Sequence, residues 1–408
     1  MTDALCAAID ARHAAQVAFL AELVRVPSDN PPGDCQPAAD RLAALLEALG
    51  FTVERNRVSA ERLDAAGMVS ATNLIVRQQF GAGGPTVALN AHGDVVPPGE
   101  GWTTDPYGAE IRDGVMYGRG VAVSKSDFAT YAFAMAALRD SDLKLAGTLE
   151  LHCTYDEETG GAIGPQLLLE QGLTKPDYAI SAGFAYNVTI AHNGCLHLEV
   201  ELIGRSAHAA RPDTGLDALE AAAHLLTALY GLRDGYAKIQ SSIAGITHPS
   251  LVVGKIAGGI NTNVVPDSVV LRLDRRIIPE ENPAEVEQAL TGFIEQVVAQ
   301  TPGIGVRIRR VLLALPFTPM PGQARLVELL QRHGQAILGT EIKAEGVPLY
   351  TDARHYSAAG IPTVLYGAGP RSLLEANGHR ADERLVLTDL LAATKVVALT
   401  LAELLAAG

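Results

Sequence analysis

The chain opens on helical periodicity. Apolar residues recur three and four apart through residues 1–27 and again through 36–49, and the stretch SDNPPGD between them predicts a break. NLIVRQQF (73–80) and TVALNAHGDV (86–95) read as strands, and a loop rich in glycine and proline follows from 97 to 120. SDFATYAFAMAALRDS (126–141) returns to helical spacing, while GTLELHCTYDEE (147–158) and PDYAISAG (176–183) are strands again. Alternating strands and helices predict an α/β sheet covered on both faces.

The pattern changes near residue 193. CLHLEVELIGRSAHA alternates apolar and polar with period two, and GLDALEAAAHLLTALYGL (215–232) is helical. SLVVGKIAGG and SVVLRLDRRIIP give two more strands. NPAEVEQALTGFIEQVVAQ (282–300) is a helix with Asn at the cap and Pro in its first turn, and GVRIRRVLLAL closes the set. The order β-α-β-β-α-β is the split βαβ unit. A small α+β domain over 193–310 is therefore expected, inserted in a larger α/β domain made of 1–192 and 311–408. A chain of 408 residues suits two cores.

Composition narrows the partners. The net charge is −14 without any basic run, so nucleic acid and anionic membrane surfaces are poor partners. No apolar run reaches the roughly 18–20 residues that span a bilayer, and the amphipathic, acid-bearing start is a helix rather than a signal peptide. A cytoplasmic protein is expected. Cys6, Cys35, Cys153 and Cys195 lie far apart with no CxxC spacing, which suits reduced thiols rather than a disulfide framework or a cysteine zinc site.

The residues able to do chemistry gather at strand ends. AHGDVVP places His92 and Asp94 two apart, on one face of an extended chain. One can bind a metal while the other orients it. TYDEETGG crowds Asp156, Glu157 and Glu158, an arrangement that calls for positive charge among them. Open α/β sheets put their sites at the carboxyl ends of strands. His208, Asn263 and Arg276 fall in the inserted domain, and Asp352, Arg354 and His379 fall near the end of the chain.

In order, HxD, GRG, DEExGG, GxxAHxxxPxxG, GGxxxNxxP, DxRxxP, TDAR and a late GH…DE resemble the M20 metallopeptidases. That family includes acetylornithine and succinyl-diaminopimelate deacylases, aminoacylases and carboxypeptidases. The resemblance covers nearly the whole chain and implies a zinc-exopeptidase-like catalytic domain with a dimerising lid, here 193–310. It implies hydrolysis of an amide bond in a small carboxylate-bearing substrate by a homodimer. It assigns His92 to one zinc ion, with Asp94 orienting it, and Glu158 and His379 to the other. Glu157 becomes the general base. His208, reaching over from the partner's lid, would stabilise the oxyanion. Asn263, Arg276 and Arg354 would contact the substrate carboxylate or oxyanion region, a task suited to the guanidinium fork.

Two ligand positions depart from the family. In GRGVAVSKSD, Val123 stands where an aspartate bridges both metals, and in DYAISAGF, Gly183 stands where another acid is usual. Zinc takes four ligands, of which at least three come from protein. The ordinary dinuclear centre is therefore not expected, and zinc is limited to one weakly held ion or none. Asp127, one helical turn after Val123, either caps its helix or reaches inward as a substitute. His152 and Asp156 are further substitutes by position. Lys125 or Arg119 would neutralise Glu157 and Glu158 if a cationic side chain replaced the metals. Besides hydrolysis, two readings remain open: altered chemistry with one metal or none, such as isomerisation, elimination or hydrolysis of an activated bond, and a non-catalytic binder of small carboxylates.

Overall fold

The computed structural model describes residues 2–407. The chain divides into two compact units, one made of Met1–Ile190, Pro319–Glu345 and Thr351–Gly408, the other of Ala191–Thr318 and Gly346–Tyr350. The second unit is wider than 193–310 because the strand Gly305–Ala314 pairs along its whole length with the strand Gly194–Ile203. A boundary at 310 would cut that strand in half.

The first unit is built on an eight-stranded mixed sheet. Its strands run in the order Val53–Arg57, Thr72–Gln79, Ala146–Thr154, Gly81–His92, Tyr178–Ser181, Thr363–Leu365, Asn187–His192 and Lys343–Val347. Gly81–His92 is parallel to both its neighbours, and Thr363–Leu365 is parallel to Tyr178–Ser181. These inner strands are buried on both faces, which explains their near-continuous apolar runs. Four parallel strands therefore end on one edge, at His92, Thr154, Ser181 and Leu365. The helix Lys125–Arg139 is buried from Lys125 to Leu138, so its sequence is small and apolar all round rather than striped. Phe133 on this helix meets Phe19 edge to face, with ring centroids 5.7 Å apart.

Three expectations are corrected. Residues 1–27 form two helices, Thr2–Asp10 and His13–Val24, rather than one. The expected loop 97–120 contains the strands Glu110–Arg112 and Val115–Tyr117, which join Arg384–Val386 in a three-stranded sheet. Strand pairing supplied from the far end of the chain leaves no local periodicity. The strand expected over 147–158 stops at Thr154, and Glu157–Thr159 turn as a single 3₁₀ turn.

The second unit has the expected β-α-β-β-α-β order. Its four-stranded antiparallel sheet runs Ser250–Gly258, Ser268–Ile277, Gly194–Ile203, Gly305–Ala314. Leu196, Leu198, Val200 and Leu202 alternate with polar neighbours and pack with Val269, Leu271 and Leu273 against the helices Ala218–Tyr236 and Pro283–Val298. Asp217 and Asn282 cap those helices, accepting from backbone N–H groups one turn in. Among the described residues no helix is long and apolar enough to cross a membrane.

The burial of the helix Lys125–Arg139 on every side is testable. Ala134 is fully buried. Ala134→Leu is expected to destabilise the protein by about 1–3 kcal/mol through overpacking, read as a lower denaturation midpoint. An unchanged midpoint would mean that the helix has an open face.

Candidate active site

The carboxyl ends of the parallel strands meet around one carboxylate. Asp94, fully buried just past the strand Gly81–His92, accepts the backbone N–H of Glu157 at 3.2 Å and of Glu158 at 3.1 Å. It also accepts from Asn30 Nδ2 at 3.0 Å. His92 Nδ1 lies 3.3 Å from the same carboxylate and 3.0 Å from the Asp94 carbonyl oxygen. Asp94 therefore engages the His92 ring and also holds the acidic turn in place. His92 Nε2 consequently faces Glu157 Oε2 at 3.9 Å. The turn closes through Gly160 and Gly161, both at positive φ, where a Cβ on Gly161 would strike Asp352.

Charge is unevenly shared in this space. Burial pushes the Glu157 carboxyl up to about 8, with the nearby His92 acting against the rise and Glu158 adding to it. Burial likewise raises Asp352 to about 7, reinforced by Glu157. Asp156 is raised well above the carboxylate range by burial and by Asp352. Burial opposes charge on His92, yet Asp94 and Glu157 hold its proton affinity well above the usual value. His379 is raised by Glu158, whose Oε1 lies 3.4 Å from its Nε2. His379 itself is exposed and sits at a φ of 62°. Asp352 is a member of this cluster that sequence reasoning quoted but gave no role. Its signal was its place in TDAR, two residues before Arg354.

The two departing positions have packing explanations. Val123 packs its side chain against the main core, and its backbone N–H donates to Glu383 at 3.2 Å. Glu383 also accepts from Gly120 and Ala122, so one buried carboxylate clamps the whole turn. A Cβ on Gly183 would lie 2.8 Å from Tyr366 N and 2.9 Å from Leu365 C. The neighbouring backbone closes the space an acid would need.

Each of the candidate substitutes is engaged elsewhere. Asp127 neither caps its helix nor joins His92, Glu157 and Glu158. Its carboxylate accepts the Ala368 N–H at 2.7 Å, and the Gly183 N–H also bonds to it. His152 lies between Tyr356 and Glu150, and Asp156 accepts the Ile163 N–H. Lys125 donates to the carbonyls of Leu23 and Val26 at 3.1 and 3.0 Å, pointing away from both glutamates. Arg119 is buried against Glu383 at 2.7 Å. The expectation that either cation neutralises the glutamates is overturned, because each is committed to the loop it braces. Arg354 is the guanidinium nearest in effect to Glu157, and it donates to the Gly160 carbonyl oxygen.

In the second unit the loops of His208 and Asn263 are adjacent. Ala209 N donates to the Asn263 carbonyl at 3.0 Å, and both side chains are exposed. Arg276 is held by Asp274 at 3.0 Å.

His92, Glu157 and Glu158 each present a donor atom, all within 4.8 Å of one another. Nitrogen and carboxylate donors in a surround rich in buried acids are of the kind that hold a divalent cation. Val123 offers no donor side chain, and backbone crowds the position of Gly183.

A mixed sheet with its acids and histidine at the carboxyl ends of parallel strands, carrying a split-βαβ insertion, defines the zinc-exopeptidase-like class. Residues 88–403 match Peptidase family M20/M25/M40, and the chain belongs to that family. It is 31% identical over 361 residues to a succinyl-diaminopimelate desuccinylase of Rhizorhabdus wittichii, covering 86% of this chain and 88% of that protein. It is 31% identical over 363 residues to an acetylornithine deacetylase of Edwardsiella ictaluri, covering 87% of each. Among solved structures, human carnosine dipeptidase 1 matches with a TM-score of 0.78 at 19% identity, over 99% of this chain and 98% of that one. A dinuclear metal-binding M20 peptidase of Bacillus subtilis matches at 0.67 and 17% identity, over 97% and 99%. The protein is thus a hydrolase of the M20 family.

Two outcomes check this geometry. Asp94→Ala leaves three N–H donors without their acceptor, at about 1–3 kcal/mol each where they stay buried. Its thermal transition is expected to fall well below that of Asp94→Asn, which keeps one oxygen acceptor. Equal melting would contradict the hub. Asp127 offers a pH test. Its proton affinity is raised from 3.8 to about 7 by burial, so the folded chain holds a proton that the unfolded chain releases. Its contribution to stability is full below about 4 and is lost as pH rises through about 7. Asp127→Asn is expected to flatten that part of the stability profile, measured by denaturant titration across the range. An unchanged slope would overturn the assignment.

Proposed function

We propose that the protein hydrolyses the amide bond of an N-acyl amino acid, or of a small peptide-like carboxylate, with Glu157 as general base. The observation that carries this reading is the placement of Glu157. It is a carboxyl of raised proton affinity, in a turn held rigid by Asp94, with His92 and Arg354 close enough to act on its charge. A base poised near neutrality suits taking a proton from water and returning it to a leaving amine. The relatives named above support the substrate class, since their names describe removal of succinyl and acetyl groups.

One divalent cation would be held by His92 and Glu158, with His379 beside Glu158. When bound, it supplies polarisation of the scissile carbonyl and of the attacking water. Asp94 keeps the His92 ring in the tautomer that leaves Nε2 available. Arg354 braces the turn at Gly160, which keeps the Glu157 carboxylate from drifting. His208 and Asn263 would donate to the developing oxyanion, with His208 coming from the partner lid in a homodimer. Arg276 reaches a substrate carboxylate only by leaving Asp274.

The test separates base from ligand. Glu157→Gln is expected to keep its zinc while the turnover of N-acyl amino acids falls by about 10²–10⁴-fold. Glu158→Gln is expected to lose about one zinc per chain relative to the unaltered protein. Wild-type turnover in Glu157→Gln, or full activity of zinc-stripped protein, would overturn the reading.

A further inference from the structure

The polar face of the four-stranded sheet carries a second group of donors, remote in sequence from the strand-end acids. Cys195 and His197 sit two apart on the central strand Gly194–Ile203 and share a face. Asp274 lies directly across from His197 in the neighbouring strand, and Arg276 lies across from Cys195. His197 Nε2 is 3.3 Å from Asp274 Oδ2, and Cys195 Sγ is 3.7 Å from Asp274 Oδ1. One sulfur, one nitrogen and one oxygen fall within 4.8 Å of one another. Cys195 is fully buried, whereas His197 and Asp274 are about one third exposed, which leaves a side open to water.

We propose that this face of the lid sheet is a binding site for a divalent transition metal, with Cys195, His197 and Asp274 as its ligands and water as the fourth. Mixed sulfur, nitrogen and oxygen donors select zinc, cobalt or nickel over magnesium or calcium. Two adjacent, fully paired strands hold all three side chains, so little ordering is left for the ion to impose. Binding converts the Cys195 thiol to a metal-bound thiolate and releases its proton to solvent. Arg276 contacts both oxygens of Asp274 at 3.0 and 3.1 Å. Its guanidinium balances that carboxylate when no ion is bound and reduces the affinity for one. The thiolate supplies the additional negative charge that the ion requires. The site is independent of the reading of Glu157 and its neighbours, where no sulfur donor is among the three.

Cobalt(II) distinguishes the two places. A cobalt–thiolate bond gives a sulfur-to-metal charge-transfer band in the near ultraviolet, whereas a site of histidine and glutamate gives none. Titration of the full chain with cobalt(II) is expected to produce that band, saturating between about one and two equivalents because the His92 and Glu158 site takes up cobalt without contributing to it. The band should vanish in Cys195→Ser, weaken in His197→Gln, and persist in Glu158→Gln. Excess zinc should bleach it. No band in the unaltered protein, or an equal band in Cys195→Ser, would overturn the proposal. Circular dichroism that matches the unaltered protein shows that each variant is folded.

Discussion

The Asp94 carboxylate is the interaction on which the rest of the site depends. Fully buried, it joins three separate pieces of chain: the end of a parallel strand, the acidic turn after the next strand, and the loop that carries Asn30. Two backbone N–H groups aimed at one carboxylate tie the turn to the strand end, since hydrogen bonds to an ionised acceptor are stronger than neutral ones. That turn then places Glu157 opposite His92 and Glu158 opposite His379. A cluster of like charges is thereby assembled by a carboxylate that is itself one of them. Such crowding is unfavourable in the bare protein, and raised proton affinities at Glu157, Asp352 and Asp156 are its signature. A bound cation relieves the same crowding.

Val123 and Gly183 are each fixed by contacts of their own. Around Gly183 the backbone of Leu365 and Tyr366 has closed in, and Asp127 stitches that closure by accepting N–H groups from Gly183 and Ala368. Beside it, Val123 turns its side chain toward the core, while Glu383 holds its backbone. The clamp by Glu383 also shows that the turn keeps its shape without a carboxylate at its centre. In the proposed reading, His92 and Glu158 then hold one ion.

Most of the architecture was legible in the sequence because its signals are local. Period-two alternation around Leu196–Leu202 and the Asn282 cap define the inserted unit without reference to anything distant. The strands that lead to His92 and Thr154 were legible for the same reason, though each was expected to run a few residues further. What escaped was decided by partners far along the chain. The strands Glu110–Arg112 and Val115–Tyr117 exist because Arg384–Val386 pairs with them. Lys125 and Arg119 looked like neighbours of the glutamates, yet each is bound by groups far from it in sequence, the Leu23 and Val26 carbonyls and Glu383. Asp127 looked like a helix cap, but its acceptor geometry is set by Ala368, 241 residues on. Charge in a motif shows that a group needs a partner; only the fold shows which partner it has.

We propose that this member of the M20 family holds one ion where a pair is usual. Anomalous diffraction from crystals grown with zinc tests it most directly. The account predicts a single peak in the catalytic unit, at bonding distance from His92 and Glu158, and no density between Val123 and Gly183. Two peaks in that unit, bridged by any residue, would contradict it.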